Sequence, residues 1–156
     1  MSKENENATV KGAASLAEKV ASYKLIARDS LRMGLISPRL SKVASLEDSL
    51  ISFGKQKDEI DHEVKVENYE ISKLDTDHPN FDKTKAAKEE TVKNYTKELE
   101  AVAKAVEDTN KLITEQKEAI AKIESGETKV SLDALNDLVD EMLRNDAVSK
   151  AGCSTC

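Results

Sequence analysis

The side chains here that could carry chemistry are two histidines, two cysteines, one serine before a proline, and many clustered carboxylates. Spacing tests each of them. A catalytic zinc site on a helix needs two histidines one turn apart and a further ligand. His62 is followed by Glu63 but by no second histidine one turn on, so it reads as a solvated helix residue. His78, beside Pro79, reads as a turn residue. The carboxylates of KQKDEIDHEV and KAAKEETVKNYTKELE alternate with lysines at three- and four-residue spacing. Such runs form solvated helix faces supported by weak ion pairs. The chain has no glycine-rich phosphate loop, no nucleophile elbow and no dinucleotide fingerprint. The expectation is a protein with no catalytic residue, no resident metal and no cofactor.

The cysteines stand together in the final CSTC, as Cys153 and Cys156. Placed there they cannot staple a fold, which agrees with a reducing compartment. Cys153 is four residues from the end, where a prenylated cysteine stands, and is the candidate lipidation site. Ser154 and Thr155 are not aliphatic, Cys156 is atypical as a last residue, and no polybasic run precedes the motif. The same four residues are also compatible with a tail of no role, an intermolecular disulfide, or half of a metal site shared by two chains, since one CxxC supplies two ligands. Ser37, before Pro38 and Arg39, reads as a helix N-cap, with phosphate acceptance as the second reading.

The elements that position these residues are helical. In 156 residues, 38% are hydrophobic and 35% charged, with no Trp and few aromatics. That balance favours elongated helices around a narrow seam of Leu, Ile, Val and Ala within a single domain. The formal net charge of -6 argues against nucleic acid, whose phosphates need a dense basic surface. No stretch approaches the roughly 20 apolar residues of a membrane span, and MSKENENATVKG is not a secretory signal. A cytoplasmic protein is the expectation, with peripheral attachment to a membrane as the second reading.

Residues 1–11 are polar and aperiodic and read as a disordered tail, as do residues 147–156. Between them, 12–146 form one helical domain. Leu16, Val20, Tyr23, Ala27 and Leu31 predict a first helix over 13–33, stopped at Gly34. A second, over 37–75, begins at Ser37–Pro38 and carries Val43, Leu46, Leu50, Phe53, Ile60, Val64, Ile71 and Leu74 in a heptad rhythm. DTDHPN forces a reversal. A third, over 80–124, resumes the rhythm with Phe81, Val92, Tyr95, Leu99, Val102, Val106 and Ile113, and ends at Ser125–Gly126.

Folding the chain about His78 places Leu50 opposite Val106, Phe53 opposite Val102 and Val43 opposite Ile113. It also sets Glu67 opposite Lys88 as an interhelical ion pair. The fold class expected is therefore all-α: a long antiparallel, coiled-coil-like hairpin, with a shorter N-terminal helix and a short C-terminal amphipathic one. That last helix, 131–146, is capped by Ser131 and gathers Leu132, Leu135, Leu138, Val139, Met142 and Leu143 on one face. It either packs back on the hairpin or, through Leu135, Leu138, Val139, Met142 and Leu143, docks into a partner's groove.

The stretch from LSKVASLEDSL through DHPNF to KELEAVAKA resembles the middle of BAR-domain proteins, including the fungal eisosome type. It has their mixed-charge heptad helix, a proline-bearing turn, and a helix rich in Lys, Ala and Glu. The resemblance implies a membrane-associating helical dimer whose basic face meets lipid. Lys83, Lys85, Lys88, Lys93 and Lys97 are the residues that would make that contact. Glu89, Glu90, Glu98 and Glu100 are interleaved with them, and the chain is shorter than the full domain.

Three functions are thus carried forward. The first is a nonenzymatic scaffold or adaptor with a protein partner or a second copy of itself. The second is a peripheral membrane protein of BAR-like character. The third is a small assembly or inhibitor subunit of a larger complex, such as a virus encodes.

Overall fold

A computed structural model of the chain describes the backbone of residues 2–154 and the side chains of residues 15–147. Three helices account for nearly all of it: α1 (Ser2–Ser72), α2 (Phe81–Glu124) and α3 (Leu132–Ser154). The described residues contain no strand. No helix among them is long and apolar enough to cross a membrane. The bounds of α1 and α3 take in residues 2–11 and 147–154 of the stretches read as disordered tails; the side chains of 2–11 and 148–154 lie outside the described residues.

One expected boundary is not there. The first and second helices, separated in the sequence reading at Gly34–Ser37, are one continuous α1 with Pro38 inside it. A proline in a helix interior costs about 3 kcal/mol through its missing N–H and its clash with the carbonyl four residues back. That carbonyl belongs to Gly34, which is exposed, so water can serve it. Ile36, between the two, is 5% exposed and packs with Ile120 and Ile123 of α2. Burying three such side chains is worth roughly 1.5–3 kcal/mol each, which outweighs the proline. Ser37 consequently lies inside α1 and caps no helix.

The chain divides into two compact units, residues 1–39 with 119–156, and Leu40–Glu118. In the first, Ala27 is completely buried with Leu135 and Val139, and Tyr23, Leu31, Leu138, Met142 and Leu143 pack around them. Here α3 lays its apolar face on α1. Lys19 and Asp146 form an ion pair between these helices, both about one-third exposed, a contact worth at most about 1 kcal/mol. Ser131 caps α3, its hydroxyl accepting from the Ala134 N–H at 3.4 Å. Gly126 ends α2 with φ of +81°, a left-handed conformation that only glycine adopts cheaply.

The second unit contains parts of α1 and α2 and the turn joining them. Val43 and Leu46 of α1 pack with Ile113 of α2, flanked by Leu50. In the turn, Asp75 accepts from the Asp77 N–H at 2.9 Å. His78 Nδ1 accepts from the Asn80 N–H at 3.0 Å. The Thr84 N–H donates to the Asn80 carbonyl at 2.9 Å, the first bond of α2. The residues that predicted a reversal thus supply its hydrogen bonds themselves.

An apolar groove between α1 and α2

Within the second unit the helices leave a groove of about 710 Å³. Leu50 and Phe53 of α1 and Leu99, Val102 and Val106 of α2 form its floor. Gly54 lies on its α1 side, and Lys57 and Glu100 border it from opposite helices. Leu50, Phe53, Leu99, Val102 and Val106 are apolar positions of the series read in the sequence, and helical periodicity has brought them to one groove. What periodicity does not show is how far the seam closes. From Glu47 through Asp108 no residue is buried, although the apolar series runs the whole way. Two helices have two sides to their seam, and this unit has no third helix to cover either.

Gly54 is a glycine in a helix interior, where it allows either a bend or room for a close helix crossing. A β-carbon built there meets no described atom within 4 Å, so nothing among the described residues demands a glycine that costs the helix about 1 kcal/mol. Lys57 and Glu100 are both exposed, and neither is held in an ion pair with a described residue. The sequence signal for this groove was Lys57 filling a seam place, unusual in a core that closes on itself, with Gly54 next to the seam residue Phe53.

The lysines proposed for lipid contact separate into two groups. Lys88 is held by Glu67 at 3.5 Å and by Glu70 at 2.5 Å. Its pKa is raised above the ordinary 10.5, first by the hydrogen bond to Glu70, and further by the two carboxylate charges, against partial desolvation. Lys85 reaches Glu89 at 3.9 Å and lies over the Phe81 ring. Lys83, Lys93 and Lys97 are exposed.

Of the five partner-docking candidates on the last helix, Leu135 and Val139 are 4% exposed, and Leu138, Met142 and Leu143 are half-buried against the same cluster. Their apolar face already has an occupant in α1. Cys153 lies outside the residues whose side chains are described. His62 is exposed on α1, and among the described residues no group of three or more His, Cys, Asp or Glu gathers around a point that could hold a metal. Comparison of the chain with protein-family models, with curated proteins and with solved structures returns no match.

Proposed function

We propose that this chain is a nonenzymatic helical scaffold or adaptor working through protein–protein contact, with α1 and α2 forming an antiparallel, coiled-coil-like hairpin. The hairpin is supported by contacts whose sequence separation narrows toward the turn, from Val43 with Ile113 to Glu67 and Glu70 with Lys88. The observation that carries the function is the half-open seam: a continuous apolar series with no buried residue between Glu47 and Asp108. An apolar face of that length is characteristic of a surface that another helix covers.

A membrane contact has less to work with, because Lys88 and Lys85 are spent on carboxylates and Glu90 and Glu100 remain among the exposed lysines. The test is affinity isolation of the full chain from cell extract beside a Gly54→Leu variant, which fills the groove while improving helix propensity. The scaffold reading expects the wild-type chain to enrich a defined protein, itself included, that the variant loses at equal helicity. A chain that stays monomeric and enriches nothing over the variant overturns it.

A further inference from the structure

We infer that the groove of the second unit is the docking surface for a second copy of this chain, seated over Leu50, Phe53, Leu99 and Val102. In that arrangement Lys57 of each copy pairs with Glu100 of the other. The inference rests on the hairpin reading above and names its partner. Charge selects a second copy over a foreign helix, and a glycine and the available area are compatible with it.

The first is charge. The groove carries one unpaired cation on its α1 side and one unpaired anion on its α2 side. A two-fold axis running along the groove sets α1 of one copy against α2 of the other. Lys57 then faces Glu100 of the second copy, and the same contact repeats by symmetry, as an isologous interface requires. The surface is its own electrostatic complement.

The second is Gly54, where a built β-carbon meets no described atom within 4 Å. A helix crossing the groove at that point can approach the α1 backbone closely only where no side chain stands. The glycine's cost to the isolated helix is then offset in the assembly.

The third is area. Two helices, each about 10 Å across, over the roughly 30 Å spanned by residues 50–71 present a face on the order of 600 Å². Two such faces bury about 1,200 Å² together, the lower end of the range for stable interfaces, so the half-buried seam is large enough for a modest dimer contact.

The experiment mixes ¹⁵N-labelled and unlabelled full-length chain, measures mass by sedimentation equilibrium, and joins carboxylates to amines with a zero-length carbodiimide before mass spectrometry. The inference expects a dimer, with Lys57–Glu100 links joining labelled to unlabelled peptides. Lys57→Glu and Glu100→Lys should each weaken association at least about tenfold, the equivalent of 1.4 kcal/mol. The double variant, with the charges exchanged, should restore it. Gly54→Leu should be monomeric at undiminished helicity by circular dichroism.

A wild-type monomer at about 100 μM, far above the concentrations at which a stable dimer dissociates, overturns the inference, even if the chain then captures another protein. So do Lys57–Glu100 links confined to single copies, or single charge reversals that leave the dimer intact. The hairpin reading is scored separately by the Lys88–Glu70 link. Found only between copies, it means that helices are exchanged and the hairpin falls while self-association stands.

Discussion

Lys88 shows how a single side chain can fix two helices without a buried charge. Its amine reaches Glu67 and Glu70 at once, on a surface that water still screens. The heptad register anticipated Glu67; Glu70, one turn position along, came from the reach of a lysine that can swing between two carboxylates. Because the folded-state pKa is raised above 10.5, the linkage has a definite sign. The amine is protonated in both states below the unfolded value, and the stabilisation is fully present there. It is lost as pH rises from the unfolded pKa through the folded one. Urea unfolding followed by circular dichroism between pH 8 and about pH 11.5, spanning the lysine range, should therefore show a constant gap between the wild-type chain and Lys88→Met at the lower end. That gap should close at the alkaline end. A gap that persists unchanged at high pH would mean that Lys88 contributes by packing its stem alone.

At the scale of elements, the helices were legible wherever local chemistry and packing agree. The end of α2 follows from Gly126 and the start of α3 from Ser131, each of which makes the capping contact its residue type suggests, while α2 opens on a backbone bond from the Thr84 N–H to the Asn80 carbonyl. The α1 boundary at Gly34–Pro38 was misread because two local signals for a break were stronger than anything the sequence shows of Ile36 meeting Ile120 and Ile123. The open groove was hidden for a related reason: periodicity says which residues share a face, and cannot say whether one helix or two will cover it. Pro38 gives a direct test of the continuous helix. Replacing it by Ala should restore the hydrogen bond to the Gly34 carbonyl and remove the ring clash, a gain of about 3 kcal/mol less the 0.4–1 kcal/mol that proline contributes by restricting the unfolded chain. Denaturant titration should show Pro38→Ala more stable by about 2 kcal/mol. A loss of stability would place Pro38 at a helix start, as its sequence context first suggested.

Across the whole molecule, buried side chains are concentrated rather than spread. The first unit holds Ala27, Leu135 and Val139 in one cluster and Ile36, Ile120 and Ile123 in another. The second unit holds Val43, Leu46, Thr109 and Ile113 near its one end, and beyond them its seam side chains are only half-buried. Local opening costs least where few apolar contacts must be broken, so backbone amides should report this distribution directly. In dilute solution, hydrogen exchange followed by mass spectrometry should find peptides from 53–71 and 84–102 exchanging at least about tenfold faster than those covering Ala27–Ile36 and Ile113–Ile123. Raising the protein concentration should slow 53–71 and 84–102 selectively, because association covers the seam there and leaves the existing clusters as they are. Protection that is uniform at low concentration would mean that the two helices hold each other firmly without a buried core. Protection that ignores concentration would leave the seam to a partner other than this chain.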